Sequence, residues 1–379
     1  MPQVTLEVAV EETKYETPTE WRRLGAAGKA QHIVTLCERY GVAPATLLEV
    51  GAGDGAVLRH LGAHGFCKAM HAVEVARSGV EVILDQHIPG LVSCQQFNGY
   101  NLPFGEGEFD LVILSHVLEH VEYERALLRE ILRVSTYQVI EIPMDFTALD
   151  QPGFSMLGPS YGHINAHSPA SFRFLLATEG FHVVGDLLGR ATLAALEYDY
   201  FVNNGHERSP EAVEEFRARW NLEQQAFDAL PQRQRERRSS YYAVLTRAET
   251  ADERAARAIG AASSYVDLGK TQPARLIFDH FVPDDEQLSG SLAVARVALE
   301  AGELLAAREF ADRALRADPT NALAKDLRAR LDDPSFKPRR KSGPAPRYTV
   351  DGRAKAFVKS RFPFLAKVVR RLRKVAHVH

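Results

Sequence analysis

The sequence predicts a doubly wound α/β domain followed by a helical region. Three observations carry this expectation. Short apolar runs stopped by glycine or proline alternate with amphipathic stretches as far as Leu188, and alternation of that kind implies a parallel sheet with helices on both faces. The first apolar run opens directly into a glycine-rich turn, Gly51 to Gly55. After Arg247 the composition shifts to Ala, Arg, Leu and Asp with helical periodicity.

Taken in order, Pro18 to Tyr40 reads as a helix: Thr19 can cap it, Glu20 suits its first turn and Gly41 follows its end. Ala45 to Val50 is an apolar run fit for a buried parallel strand. Ala56 to Leu61 is helical, Ala69 to Val75 a second strand, Gly79 to His87 a helix and Leu91 to Gln96 a third strand. Phe109 to Ser115 is a fourth strand, apolar enough to be covered on both faces. Tyr123 to Arg133 is a helix with apolar residues at Leu127, Leu128, Ile131 and Leu132, and Tyr137 to Ile142 is a fifth strand halted by Pro143. Ser168 to Glu179 is a further helix, and Phe181 to Leu188 and Tyr241 to Thr246 are the sixth and seventh strands. Between those two lies a polar insertion, about 190–238, with the run Gln232 to Arg238, which reads as a solvated helix face in preference to an anion patch.

The 379 residues suit about two domains, here 1–248 and a helical region over 249–333, with a basic linker and tail over 334–379. Ser291 to Asn321 resembles one tetratricopeptide repeat: Gly302, Ala307, Ala311, Ala314 and Pro319 fall where that pattern wants small residues and its closing proline, while Phe310 stands one place from the expected aromatic. Cys37, Cys67 and Cys94 show no CxxC spacing and fit reduced thiols in a cytoplasmic protein. No run approaches a membrane span and no secretory leader is visible. The net charge of −3 hides an asymmetry: from Lys337 onward there are fourteen Lys/Arg and one acid, leaving 32 basic and 48 acidic residues in the remainder. In the tail, Phe364, Leu365, Val368, Val369, Leu372 and Val375 share one helical face flanked by basic residues. Residues 353–379 are therefore expected to form an amphipathic helix for an anionic membrane surface, at the inner face of the membrane. Nucleic acid is the weaker partner, since a phosphate binder has no use for so continuous an apolar face. Packing of this face on the chain's own repeats is a third reading, and the repeats themselves could hold a protein partner.

The chemistry is concentrated in Leu-Leu-Glu-Val-Gly-Ala-Gly-Asp-Gly, Leu47 to Gly55, where a strand meets its helix. Gly51 and Gly53 permit a sharp turn and leave room for a ligand against the backbone, and ligands of such sheets bind at the carboxyl ends of the strands. The spacing departs from the GxGxxG dinucleotide form, and Glu49 and Asp54 would repel a pyrophosphate. Glu74 closes the second strand, where a carboxylate can accept from both ribose hydroxyls. With Asn101 to Phe104 (Asn-Leu-Pro-Phe) and Phe109 to Val121 (Phe-Asp-Leu-Val-Ile-Leu-Ser-His-Val-Leu-Glu-His-Val), these motifs resemble the class I S-adenosylmethionine-dependent methyltransferases, in particular the small-molecule branch that includes the ubiquinone-pathway O-methyltransferases. The likeness covers roughly a quarter of the chain. It implies a Rossmann-like seven-stranded sheet with S-adenosylmethionine held by Glu49, Gly51, Ala52, Gly53, Glu74, Val75, Asn98, Gly99, Tyr100, Ser115 and His116. In that scheme Glu74 holds the ribose, Gly99 and Tyr100 line the adenine, and Ser115 and His116 face the methionine part. Asn98 stands where the family often has an acid, and its amide oxygen could accept from the adenine amino group.

Methyl transfer to oxygen or nitrogen needs positioning and a base for the acceptor proton. The candidates are His116, His120 and His163, with His167 beside them. His116 to His120 also spells HxxEH, a zinc signature that needs both histidines on one helix. Here His116 follows a strand, so no metal is expected from that motif. In the resembling O-methyltransferases a similar stretch with an acid first can bind a divalent ion, and His116 replaces that acid. The acceptor expected is a small molecule or a cell-envelope glycan. The rival readings are a nicotinamide-dependent oxidoreductase on the same fold and a non-catalytic scaffold built on the helical repeats.

Overall fold

The computed structural model describes residues 15, 19–148, 162–333 and 335–336. The tail helix expected over 353–379, nearly all of the linker, and Tyr161 lie outside these residues. The chain divides into two compact units after Thr250.

The first unit is built on one seven-stranded sheet, with strands β1 (Thr46–Val50), β2 (Ala69–Glu74), β3 (Leu91–Gln96), β4 (Phe109–Ser115), β5 (Ser135–Pro143), β6 (Phe181–Gly189) and β7 (Tyr241–Ala248) in the order β3-β2-β1-β4-β5-β7-β6. β7 runs antiparallel to both of its neighbours, and the other pairs are parallel. The helices joining the first five strands are α1 (Glu20–Arg39), which precedes β1, then α2 (Ala56–Ala63), α3 (Arg77–Asp85) and α4 (Glu124–Val134). α5 (Pro169–Thr178) precedes β6. The observed bounds differ from those expected by one or two residues at most ends, where capping and not periodicity decides the last residue. Thr19 does cap α1, its hydroxyl accepting from the Arg22 amide at 3.3 Å.

Strict alternation along the central strands gives each face its own core. On one side Leu48, Val112, Leu114, Ile140 and Val244 meet Leu127, Leu128 and Ile131 of α4 and Phe172, Leu175 and Leu176 of α5. On the other, Leu47, Leu111, Ile113, Val139 and Leu245 meet Ile33 and Leu36 of α1, Leu58 and Leu61 of α2, and Ile83 of α3. All six of the β1 and β4 residues just named on the two faces are fully buried, which is why those strands read as unbroken apolar runs. At roughly 25 cal/mol per Å² of apolar area removed from water, these two layers are the main source of stability for the sheet.

The strand order reverses between β1 and β4. Leu47, Leu48 and Glu49 pair with Leu111, Val112 and Ile113, so two residues further along lie Gly51 and Ser115. The glycine turn and the end of β4 are thus adjacent at the switch point of the sheet, the place where open α/β folds bind ligands.

The insertion between β6 and β7 is helical: α6 (Leu193–Tyr198), a π-turn at Asp199–Asn203, α7 (Pro210–Asp228) and the short α8 (Gln232–Glu236), which buries no residue. The Gln232 to Arg238 run is therefore a solvated element.

The second unit is all-helical: α9 (Ala251–Asp267), α10 (Thr271–Phe281), α11 (Gln287–Ala301), α12 (Leu304–Ala317) and α13 (Ala322–Asp332). Gly302, at φ 81°, ends α11 in the left-handed conformation. Ala307, Ala311 and Ala314 are buried, and Phe310 points inward to pack edge-to-face on Phe278 at 5.2 Å between centroids. The small residues let helices approach, and the aromatic pair fills the space they leave. Among the described residues no helix is long and apolar enough to cross a membrane.

Candidate active site

The glycine turn is bound across the first two strands. The Gly51 and Ala52 amides both donate to the Val73 carbonyl, at 2.9 and 3.2 Å. Gly51 has φ 71°, and a Cβ there would lie 2.7 Å from the Val117 side chain; a larger residue is excluded by both conformation and space. The Gly53 amide donates to Glu74 Oε2 at 2.7 Å, while Glu74 Oε1 accepts from Val75 and Ala76 at 2.9 and 3.0 Å. Glu74 is only 2% exposed, so the acid expected to face a ribose is also the anchor of the turn. Tyr15 lies against this site: its ring is 3.3 Å from the point where a Gly53 Cβ would sit, and its amide donates to Ser78 Oγ at 3.1 Å.

Beside the turn opens a cleft of about 410 Å³. Of the residues expected at the site, Glu49, Gly51, Ala52, Gly53, Ser115, His116, His120 and His163 line it. Glu74, Val75, Asn98, Gly99 and Tyr100 do not. Asn98 requires a correction. Its amide oxygen accepts from the Tyr100 and Asn101 amides at 3.0 and 2.8 Å, which fills the two lone pairs of that oxygen. Asn98 shapes the loop after β3, and the role of adenine acceptor through that oxygen is taken from it. His167 also leaves the candidate set: it pairs with Glu124 at 2.8 Å and is not part of the cleft.

The structure adds residues that motif reading missed. Lys29 and His32 of α1, Glu141 of β5, and Arg190 just after β6 all line the cleft. Glu141 is buried at 3% exposure and bridges two imidazoles: Oε2 lies 2.5 Å from His32 Nδ1 and Oε1 lies 3.0 Å from His116 Nε2. The His32 ring is fixed in turn by stacking on Tyr241 at 3.7 Å. The signal that could have found Glu141 is its isolation as the one acid in the apolar run Val139 to Pro143. His116 has φ 58°, a left-handed conformation unusual for a side-chain-bearing residue and found at functional sites.

The buried carboxylates of the site fall into two kinds. Burial alone would raise Glu141, but the hydrogen bonds and charges of His116 and His32 outweigh it and hold the group well below the usual range. His116 is shifted down, first by burial and then by the Lys29 charge, against the pull of Glu141. The two shifts describe an ionised Glu141 accepting from the Nε2–H of a neutral His116, which leaves the His116 Nδ1 lone pair available. Glu49 and Glu119 lack such partners. Burial, tempered by Lys29, pushes Glu49 up to about 8, and burial likewise raises Glu119 to about 8.

Near the mouth of the cleft His120 Nδ1 lies 3.0 Å from the Gly162 carbonyl, and His163 Nδ1 lies 2.5 Å from Asp145 Oδ2. Glu119, His120 and His163 each place one ligand-type atom within 4.8 Å of the others. His116 sits at the end of β4, whereas Leu118–His120 form a short 3₁₀ turn, so the HxxEH string does not lie on one helix.

Glu49 generates a prediction. Its folded-state value near 8 exceeds the ordinary carboxylate value, so the folded chain holds a proton that the unfolded chain releases, and wild-type stability falls as pH rises across that window. Glu49→Gln removes this dependence. Thermal unfolding at about pH 8 is expected to show the variant more stable than wild type, with the difference vanishing near pH 5; a variant less stable at both values would mean that Glu49 is ionised and supported in the fold.

Residues 21–185 match the family model described as a methyltransferase domain. No curated protein matches significantly. Among solved structures, the chain is similar to a Galdieria sulphuraria protein assigned as a sarcosine dimethylglycine methyltransferase, at 13% identity over 58% of this chain and 84% of that one, with a TM-score of 0.42. It is also similar to phosphoethanolamine N-methyltransferase 2 of Haemonchus contortus in complex with S-adenosylmethionine, at 13% identity over 57% of this chain and 52% of that one, TM-score 0.41. At these values neither likeness carries weight for the substrate. The family match spans β1 to β5, the glycine turn, Glu74 and the histidine end of β4, and it identifies residues 21–185 as a class I methyltransferase domain, a family whose methyl donor is S-adenosylmethionine.

Proposed function

We propose that this protein moves the methyl group of S-adenosylmethionine to an oxygen or nitrogen of a small molecule or a cell-envelope glycan. The observation that carries the reading is the glycine turn, tied to Glu74 and opening on a cleft whose facing wall is His116. In this scheme Gly51, Ala52 and Gly53 run along the donor with Glu49 beneath them, and Ser115 and His116 face its methionine part. Glu74 and Val75 take the ribose side, and Gly99 and Tyr100 border the adenine. The positively charged sulfonium activates its own methyl group, so in-line positioning carries much of the rate. The acceptor must lose a proton. His116 is the best placed of the three histidine candidates, because Glu141 holds its Nε2 and orients Nδ1 as the acceptor of that proton. Glu141 and, behind it, His32 act as positioning residues.

The stretch Ser291 to Asn321 reads as one tetratricopeptide-like repeat, and in this scheme the helical unit offers a surface for a protein partner. Residues 353–379 supply, on their sequence, a membrane-surface helix at the inner face of the membrane.

Three outcomes are expected. Calorimetry should show binding of S-adenosylmethionine and S-adenosylhomocysteine but not of NAD. Glu74→Ala should weaken that binding about tenfold or more, since hydrogen bonds to a charged group are worth roughly 1.5–3 kcal/mol; an unchanged affinity would remove Glu74 from the site, and binding of NAD alone would overturn the methyltransferase reading. Labelled S-adenosylmethionine with fractionated cell extract identifies the acceptor, and against it His116→Asn should lose about 10²–10⁴ in turnover. Full turnover of that variant at every pH tested eliminates His116 as the base. Finally, the full-length protein should sediment with anionic liposomes at low salt and a chain ending at residue 352 should not, each basic residue near the surface contributing about 1 kcal/mol. Identical behaviour of the two chains, both in the supernatant, refutes the membrane role of the tail.

A further inference from the structure

The insertion between β6 and β7 carries a second cavity, and the scheme above leaves it without a task. Phe216, Arg219, Trp220 and Glu223 recur at three- and four-residue spacing, so they share one face of α7. That face meets Tyr200 of the π-turn and, with Arg190 from the end of β6, borders a cavity of about 350 Å³, within the range of small-molecule sites. α6 and its flanks present one side to each space. Thr192 and Ala195 line the cleft, whereas Leu196 and Asp199 line the second cavity. Arg190 lines both, so the two spaces adjoin at its side chain.

The walls of this cavity are held in place, and two of their donors lack an acceptor. Tyr200 stacks on His206 at 3.9 Å between centroids, and the Arg219 guanidinium lies over the Tyr200 and Phe216 rings at 5.7 and 5.4 Å. Arg190 is anchored through Nη2, which donates to Glu223 Oε2 at 2.6 Å. Its Nη1 group, like Trp220 Nε1, is buried and meets no hydrogen-bond partner among the described residues. A buried N–H in that state is costly until an acceptor is supplied. Both residues border the same cavity, so a ligand bearing oxygen atoms and seated there supplies acceptors to both.

We propose that this cavity is a subsite for one sugar ring of an oligosaccharide acceptor, whose neighbouring ring reaches past Arg190 into the cleft. The inference deepens the methyl-transfer reading and rests on it. The chemistry of the walls selects the class. A phosphate or carboxylate ligand is disfavoured, because Asp199 and Glu223 share the wall with Arg190 and Arg219. A flat aromatic ligand finds the Tyr200 and Phe216 faces already taken by His206 and Arg219. An aliphatic chain leaves the Arg190 and Trp220 donors unpaired. Sugar hydroxyls both donate and accept, so they match guanidinium, indole and carboxylate groups on one wall. The C–H face of the ring suits the apolar body of Trp220. In the cleft, a hydroxyl oxygen of the neighbouring ring forms a bond to the methyl carbon as the carbon–sulfur bond breaks. The bonding pair stays on sulfur, leaving S-adenosylhomocysteine, and the hydroxyl proton passes to His116 Nδ1.

The test uses the full-length protein with labelled S-adenosylmethionine and fractionated cell extract. The labelled product is expected to be an oligosaccharide that releases an O-methylated monosaccharide on acid hydrolysis. Against the acceptor recovered from that fraction, Trp220→Phe keeps an aromatic ring and loses the N–H. It should raise KM about tenfold with kcat within about twofold of wild type, and Trp220→Ala should raise KM further. Leu222→Ala, at a position 68% exposed on α7, should match wild type. Calorimetry with S-adenosylhomocysteine shows that each variant is folded and reads the donor site separately. A labelled product with no sugar, or with a single sugar ring only, overturns the proposal and leaves methyl transfer standing. So does an unchanged KM in both Trp220 variants, or the absence of any labelled product from protein that binds S-adenosylhomocysteine. Failure of the wild type to bind S-adenosylhomocysteine overturns the methyltransferase reading itself, and the subsite falls with it.

Discussion

The bond between the Gly53 amide and the Glu74 carboxylate is the constraint on which the rest of the site depends. It joins the turn after β1 to the tip of β2, and Glu74 accepts two further amides from the chain that follows it. Charge-assisted bonds to backbone N–H groups are roughly twice as strong as neutral ones, so a single side chain fixes the path of the turn. That path sets where α2 begins and holds Gly51 against Val117, beyond the end of β4. Because β1 and β4 are neighbours at the reversal of strand order, fixing one turn also fixes the distance to His116 across the cleft. The geometry of this side of the cleft therefore follows from one carboxylate and the register of two strands.

The cleft contains carboxylates that burial treats in opposite ways. Glu141 keeps its charge because two imidazoles reach it from α1 and from the end of β4. Glu49 and Glu119 have no such donors and hold their protons to about pH 8. Desolvation is large for all three, and the difference lies in whether donors replace the lost water. An ionised Glu141 beside a neutral His116 is the state a general base requires. Lys29 appears among the influences on Glu49, Glu119 and His116 alike, so α1 contributes to the electrostatics of the site along with the strands.

The two units solve the packing problem differently. The sheet unit buries branched side chains in two layers, one on each face. The helical unit uses alanine at helix crossings and concentrates its bulk in Phe278 and Phe310, with Arg313 lying over both rings at 5.7 and 5.3 Å. Small residues permit close helix approach, and the guanidinium over aromatic faces adds a cation–π contribution of about 0.5–1 kcal/mol at partly exposed sites.

The sequence alone determined the sheet, its seven strands and the position of the donor turn. These are local properties: a strand covered on both faces must be an unbroken apolar run, and a left-handed turn needs glycine wherever it occurs. It also named Gly51, Gly53, Ser115, His116, His120 and His163, all of which reach the cleft. It could not tell which partner each polar group would meet. Asn98 was available on sequence grounds, and only the folded loop shows its oxygen spent on Tyr100 and Asn101. Glu141 and His32 are 109 residues apart, and periodicity reports the face a residue occupies, not what stands opposite. Asp145 behind His163, Tyr15 over Gly53 and the clamp of Asn165 on the 3₁₀ turn are likewise decided by the tertiary structure. Protonation state and tautomer depend on distances of a few ångströms between segments far apart in the chain, and those distances exist only once the two cores have packed.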